Sequence, residues 1–482
     1  MIFLKFFILG LLTSLLYPPF FMLPLGFIIF PYFIILIIKL SNQKSFLTYF
    51  FNGFLFGLGF LIIYLSWVLN PFLVYEETKA YAFLAILLPV FLSIFFGLGF
   101  VIYKYLVLKL HIILITPFVF ILIEFVISNF IYGFPWISNS LILSNNKTGF
   151  YLIKYLGTIT SGYLILLLFL LPLMVPYFIS INKYYKQLLI VYSPLILIFL
   201  LPIFSFESNQ RMPNKEIIIE INQLVNPINS PNKKNIEQKI KKLINDSKSD
   251  YIIFAENNFP YLINKNNLSN LKTFVNENKK VIIGATTIQD GNYYNSFFLV
   301  EKNKIQNFDK KILVPFGEFL PLRKYLNFME IISGSIDYQK GDNERIITTT
   351  DNLKILPIIC YEIVFDKIFK NINKKEIDIL VNITNDSWFG TRSGPYQHFY
   401  ISRIKALVAN KSLLRVSNNG ISAIIDNNGK VIESSKLNKI TQLKYNLKIN
   451  NNKSYFPMHK IFMFYLFLIF IILIIFSKRK EI

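Results

Sequence analysis

The distribution of charge along the chain constrains its fold more than any other feature. Residues 1–205 are nearly free of Asp, Glu, Lys and Arg. Residues from about 206 to 455 are polar and rich in Lys and Asn, and Ile461 to Phe476 are apolar again. A water-facing surface must be polar, so one part of such a chain lives in lipid and another in water. The sequence is 54% hydrophobic and holds 50 Phe among 482 residues, which fits that division and not a soluble globule.

A helix needs about 20 apolar residues to cross a bilayer. Candidate spans lie near 2–18, 20–39, 47–68, 80–103, 108–128, 158–181, 188–205 and 458–476. This predicts a membrane bundle over 1–205 with about seven spans, a polar domain over 212–450, a final span over 458–476 and a tail over 477–482. The first span lacks the basic start and small-residue cleavage site of a signal peptide. Lys39 and Lys44, Lys104 and Lys109, Lys183 and Lys186, and Lys478, Arg479 and Lys480 all fall on one side of an eight-span bundle. Positive loops mark the cytoplasm, so the polar domain is expected outside it. Lys147 and Lys154 are the exceptions.

The formal charge of +22 does not imply nucleic acid, because the lysines are scattered and no compact basic stripe accompanies a binding motif. Cys360 is the one cysteine, which excludes an internal disulfide and disfavours a thiolate zinc site. With three His (His111, His398, His459), no metal site and no cofactor is expected. The connection 129–157 carries Gly133, Phe134, Pro135 and Trp136. It reads either as an interfacial loop with a Trp anchor or as a lipid-facing wall of a site. Glu124 lies within a span, where an acid is expensive; it either hydrogen-bonds the bundle interior or lines a polar cavity.

The polar domain alternates strand and helix patterns. Glu216–Leu224, Tyr251–Ala255, Val281–Thr286, Tyr294–Val300, Ile355–Ile359 and Ile377–Ile383 read as strands. Residues 236–244, 268–275 and 401–408 have helical spacing, and Asn427-Asn428-Gly429 reads as a hairpin turn. Helices between strands predict a sheet with covered faces. Glu256 follows the apolar YIIFA, Cys360 follows ILPII and Lys310 precedes the run ILVPFGEFLP, so all three sit where strands should end, the positions at which side chains are held rigidly yet exposed. A carboxylate can take the proton of an attacking thiol, and an ammonium with a backbone N–H can hold the oxyanion that forms. Glu, Lys and Cys are therefore a complete acyl-transfer set, although their spacing alone does not assemble them.

The strings AENNFP, DKKILVPFGEFLPLR, LPIICYEIVF, NITNDSWFGTRSGPYQHF and RVSNNGISAI resemble the apolipoprotein N-acyltransferases, a membrane branch of the nitrilase (carbon–nitrogen hydrolase) superfamily. The resemblance covers nearly the whole chain. It implies an eight-helix transmembrane bundle plus an extracytoplasmic nitrilase-like αββα sandwich. It implies Glu256 as general base, Lys310 (not Lys311) as oxyanion stabiliser and Cys360 as nucleophile. Glu318, Tyr361 and Glu362 become supporting residues, with the Tyr361 N–H as second oxyanion donor. Phe134, Pro135, Trp136 and Trp388 become candidate lipid contacts. The implied reaction takes an acyl chain from a phospholipid through a Cys360 thioester to the α-amine of a diacylglyceryl-cysteine apolipoprotein. The implied setting is a monomer in the bacterial inner membrane, multi-pass, with its catalytic domain in the periplasm. Phe254 and Ala255 stand where the family usually has Trp-Pro, and no Trp occurs between Gln223 and Asn235, so details of acyl-chain contact differ. A membrane-tethered nitrilase-type amidase would use the same triad, and a transporter with a degenerate outer domain would not need it. His398 is expected as a satisfied helix-start histidine, Arg415 and Asn418-Asn419 as residues that order backbone.

Overall fold

The computed structural model describes residues 2–41, 45–107, 112–173, 215–228, 232–272, 275, 279–326, 329–370, 372–449 and 452–476. The chain forms two compact units. One comprises Met1–Leu69, Ala82–Ser208 and Tyr455–Ile482, the other Asn70–Tyr81 and Asn209–Ser454.

The apolar unit is helical. Leu23–Leu40, Phe46–Tyr64, Ala82–Val107, Ile112–Asn129 and Lys147–Leu173 are long and apolar enough to cross a membrane. Ile2–Ser14 is a shorter apolar helix, and the closing helix Phe456–Phe476 is apolar over Pro457–Ile472. Five helices of spanning length are thus described where eight spans were expected. The span over 188–205 lies outside the described residues, as do Lys44, Lys109, Lys183, Lys186, Lys478, Arg479 and Lys480. The helix expected from about 158 begins at Lys147. Asn146 caps it by accepting the Gly149 N–H at 2.6 Å, and Gly157, at φ 80°, kinks it. Lys147 and Lys154 therefore belong to a helix rather than a loop.

Close helix approach needs small residues. A Cβ on Gly59 would stand 2.2 Å from the Phe7 carbonyl oxygen, so glycine alone lets these two helices touch. Glu124 hydrogen-bonds the bundle interior: its Oε2 accepts the Asn139 N–H at 2.8 Å and the Asn139 side-chain amide at 2.7 Å. Tyr17 donates to Asn139 Oδ1 at 2.8 Å. Trp136 is fully buried, 4.7 Å from Trp67 between ring centroids, and its carbonyl accepts the Tyr64 hydroxyl. Trp136 thus packs within the helical unit, where the sequence left an interfacial anchor and a lipid-facing wall both open; Phe134 and Pro135 remain half-buried.

The polar unit holds thirteen described strands: β1 (Lys215–Gln223), β2 (Tyr251–Phe254), β3 (Ile263–Asn264), β4 (Lys280–Gln289), β5 (Asn292–Val300), β6 (Ile305–Asp309), β7 (Ile347–Thr348), β8 (Lys354–Ile359), β9 (Ile379–Thr384), β10 (Leu413–Ser417), β11 (Ala423–Ile425), β12 (Val431–Ser434) and β13 (Thr441–Ile449). One sheet runs β13-β1-β2-β4-β5-β6 with β3 beside β4, the other β12-β11-β10-β9-β8-β7. The central strands β1, β2 and β4, and likewise β8, β9 and β10, are parallel. Strands buried on both faces read as continuous apolar runs, which is why YIIF and ILPII were legible. The sheets face each other through β1 on β10 and β5 on β8. Helix Lys233–Asp246 seats Ile240 and Ile244 on Ile252, Phe254, Val281 and Ile283, closing one outer face. Helix Ser393–Ala409 packs on β10 and on the turn after β8. Four layers, helix–sheet–sheet–helix, result. The edge strand β13 was not expected, although Gln442, Lys444, Asn446 and Lys448 alternate with Leu443, Tyr445, Leu447 and Ile449 in the pattern of a half-exposed strand.

Segment Asn70–Tyr81 belongs with the polar unit although it sits within the apolar stretch of sequence. The Asn70 amide reaches the Ser387 carbonyl at 3.4 Å, and the Tyr75 ring lies 6.3 Å from that of Trp388.

Candidate active site

Three strand ends build the site. Glu256 follows β2, Lys310 follows β6 directly and Cys360 follows β8 directly. The two sheets face each other, so residues far apart in sequence converge. Cys360 occupies φ 49°, a left-handed conformation that a non-glycine residue adopts only under constraint. It opens the 3-10 turn Cys360–Val364, so the chain bends sharply at the thiol and presents Tyr361 next. Glycine at 284 lets β4 approach Glu256: a Cβ there would stand 2.6 Å from the Glu256 Cα.

The structure brings Glu256, Lys310, Glu318 and Cys360 together. The Lys310 ammonium donates to Glu318 at 2.9 Å and stands 3.9 Å from Glu256 Oε1. Glu256 acts electrostatically on the Cys360 thiol, as Lys310 does with the opposite sign. Its Oε2 accepts the Asn385 N–H at 2.8 Å, and its Oε1 accepts the Asn295 side-chain amide at 2.7 Å. The same amide donates to Glu318 Oε1 at 2.9 Å, and Val314 N–H donates to Glu318 Oε2 at 2.8 Å. Lys311 is elsewhere: its ammonium reaches the Asp342 carbonyl.

Burial pushes the Glu256 carboxyl above the usual range; Lys310 opposes this and Glu318 adds to it. Burial also works against the Lys310 charge, but Glu318, Glu256 and Cys360 outweigh it and hold the ammonium protonated. The Cys360 thiol is pushed well up, by burial first and then by Glu256, with Lys310 opposing. A thiol of this kind does not ionise alone; it needs a base in contact with it.

Glu362 is buried and collects donors. Arg345 meets it through two nitrogens, at 2.6 and 2.8 Å, and the N–H groups of Lys311, Ile312 and Ile359 complete the set. Burial disfavours its charge, yet Arg345 and these bonds hold its pKa below the ordinary value. It thereby ties the residues after Lys310 to the strand before Cys360. A second buried cluster lies past β9. Asp386 meets Arg415 at 2.7 Å and His398 Nδ1 at 2.9 Å. Arg415 also donates to Asn382 Oδ1 at 2.8 Å, and Asn382 donates to the Cys360 carbonyl at 3.5 Å. Burial and Arg415 lower the His398 pKa against the pull of Asp386, so the imidazole is neutral at neutral pH. Asn418 orders backbone as expected, donating to the Asn226 carbonyl at 2.7 Å. Trp388 is half-buried. Asn295 and Arg345 were missed by sequence reasoning. A polar Asn inside the strand run Tyr294–Val300 was a usable signal, since strands disfavour it; Arg345 left none.

A sequence model of carbon-nitrogen hydrolases matches residues 222–447, and one of the apolipoprotein N-acyltransferase N-terminal domain matches residues 9–171. The apolipoprotein N-acyltransferase of Rickettsia prowazekii (strain Madrid E) is 28% identical over 470 residues, covering 91% of this chain and 90% of that one. A CN-hydrolase superfamily protein from Xanthomonas campestris aligns over 48% of this chain and 90% of that one, with 13% identity and a TM-score of 0.37. The apolipoprotein N-acyltransferase of Wigglesworthia glossinidia brevipalpis is 32% identical over 425 residues, 82% of each chain. By that identity and coverage, together with both domain matches, the chain belongs to the apolipoprotein N-acyltransferase family.

Proposed function

We propose that this membrane protein transfers a fatty acyl group from a phospholipid, through a thioester on Cys360, to the α-amine of a diacylglyceryl-cysteine apolipoprotein. The observation that carries the chemistry is the convergence of three buried strand-end residues: the Lys310 ammonium stands 3.9 Å from the Glu256 carboxyl, and both charges act on the buried Cys360 thiol. The lysine-rich flanks of the spans support a polar unit on the periplasmic side of the inner membrane. Lipid substrates leave a bilayer only at great expense of apolar burial, which accounts for the helices.

In the first half-reaction Glu256 takes the thiol proton as sulfur attacks the ester carbonyl. The oxyanion forms beside the Lys310 ammonium and the Tyr361 N–H. Collapse breaks the ester C–O bond, and the leaving alkoxide takes the proton back from Glu256. A lysophospholipid departs and the acyl group remains on sulfur. In the second half-reaction a neutral amine attacks the thioester and Glu256 accepts one of its protons. Collapse expels the thiolate, which recovers that proton, and an amide is formed. Glu256, Glu318 and Lys310 carry a net charge of −1 before attack, and the oxyanion replaces the Glu256 charge after it. Negative charge moves toward Lys310 but none is created, so the dry pocket opposes the step little.

The test is a mass spectrum of a lipoprotein's N-terminal peptide from cells that lack their own N-acyltransferase and carry this chain or its Cys360→Ala form. The expected result is a gain of one acyl mass with the native chain only. No gain despite membrane insertion would favour a tethered hydrolase that gives the thioester to water. A gain with both forms would remove Cys360 from the chemistry.

A further inference from the structure

Asn295 sits between the two acids, and no step above employs it. It lies in β5, opposite Thr286 of β4, and is buried. Its side chain has two N–H bonds. One goes to Glu256 Oε1 at 2.7 Å, the other to Glu318 Oε1 at 2.9 Å. Its carbonyl Oδ1 is buried and finds no donor among the described residues. Its backbone carbonyl accepts the Lys310 N–H at 2.9 Å.

A buried acceptor without a donor weakens a fold. Turning the amide over would not repair this, because it would set an oxygen against two carboxylates. The two acids therefore dictate the orientation, and stability is given up for it. Lys310 serves Glu318 at close range but stands 3.9 Å from Glu256. The short donor to Glu256 Oε1 is Asn295.

We infer that Asn295 is a positioning residue that holds Glu256 and Glu318 as separate acceptors, so that the base stays free to take the Cys360 proton. Two carboxyls in one dry pocket tend to share a proton. A shared proton would occupy the base. An uncharged NH2 group that donates to both removes the incentive without adding a charge that would compete with Lys310 for the oxyanion. The other groups facing Glu256 are Lys310, Cys360 and Tyr338, while Asp386 acts on Cys360. The Asn295 bond favours the charged form of Glu256, against burial and Glu318. This role rests on the acyl-transfer reading only in naming Glu256 as the base.

The test needs no lipid. Cys360 is the single cysteine, so iodoacetamide alkylation of the full-length protein in detergent reports one site. Its rate against pH is measured for the native chain, Asn295→Ala and Asn295→Asp, with Glu256→Gln as a control that lacks the limb. In the native chain the rate falls as pH drops through the Glu256 pKa. Loss of one hydrogen bond to a charged group moves that limb upward by about one pH unit in Asn295→Ala, about tenfold in rate below it, with recovery at higher pH. Asn295→Asp, which adds a third carboxyl of the same shape, moves it further. A uniform loss of rate with the limb unmoved would overturn the inference, as would no change in either variant. Failure of the isosteric Asn295→Asp variant to fold would also overturn it, since the residue would then serve stability. Alkylation that behaves as expected beside an absent lipoprotein mass gain would retire the substrate and keep this role.

Discussion

The surroundings of Glu256 and Glu362 lie in the same polar unit and bury the same side chain, yet they drive it in opposite directions. Glu362 receives a two-nitrogen clasp from Arg345 and three backbone N–H bonds. Its charge is matched, and its carboxyl is held below the usual range. Glu256 receives one side-chain amide and one backbone N–H, has a like charge in Glu318 nearby, and is pushed above that range. Burial is common to both, so burial does not decide. The donor count and the nearest charge do. A carboxyl with every lone pair engaged is a strut; one left short of donors near a thiol can serve as the proposed base.

The largest expected effect falls on the base. Glu256→Gln should slow thioester formation on Cys360 by about 10²–10⁴-fold, read as the acyl mass on the intact protein. Its thermal unfolding midpoint should hold or rise, because a like charge beside Glu318 disappears. Glu362→Gln should do the reverse in kind. It leaves Arg345 without its anion in a buried place, and breaking such a pair costs about 3–5 kcal/mol. Unfolding in detergent should show that loss. Native stability combined with lost activity in Glu362→Gln would break the comparison and move Glu362 into the chemistry.

The same contrast explains what the sequence made legible. Glu256 and Cys360 were readable because each ends an apolar strand run and lies in a specific string of residues; Lys310 was readable from its string alone, since the strand before it reads IQNFD. The sheets were readable wherever both faces are buried, as in Tyr251–Phe254 and Lys354–Ile359. Helix Lys233–Asp246 was readable from its apolar spacing. Arg345 was not, because its partnership with Glu362 depends on the chain returning across the end of β8, and nothing local signals that. The membership of Asn70–Tyr81 in the polar unit was hidden for a related reason: its few polar contacts are with residues far along the chain. The place of Trp136 stayed open between an interfacial loop and a lipid-facing wall because nothing local signals its partner Trp67 within the bundle.

Acid should separate the two carboxyls. The folded pKa of Glu256 is raised, so its base function disappears as pH falls through that raised value, above the ordinary glutamate pKa of about 4.3. The folded state binds that proton more tightly than the unfolded state, so mild acid does not unfold the chain through Glu256. The folded pKa of Glu362 is lowered, so its contribution is complete above the ordinary value and is lost only as pH falls through the lower folded one. Between the two lies a window in which the protein is folded and inactive. Circular dichroism should stay native there while thioester formation stops, and activity should return in full on neutralisation. Loss of structure and activity at one pH would mean that Glu256 is no weaker an acid in the fold than Glu362.

The smallest expected effect comes from adjacent lysines. Lys310 and Lys311 differ by one position, and a strand end turns successive side chains to opposite sides. Lys310 is buried against Glu318 and faces Glu256. Lys311 spends its ammonium on the Asp342 carbonyl at the surface, and only its backbone N–H enters the Glu362 cluster. Lys311→Met keeps that N–H, so thioester formation should stay within about twofold, as for other exposed contacts of a lysine. Lys310→Met should lower it by about 10²–10³-fold, the loss of one oxyanion donor. The pair is a register test for the whole site. If the two outcomes were exchanged, β6 would end one residue later than the structure has it, and Lys310 would not face the oxyanion.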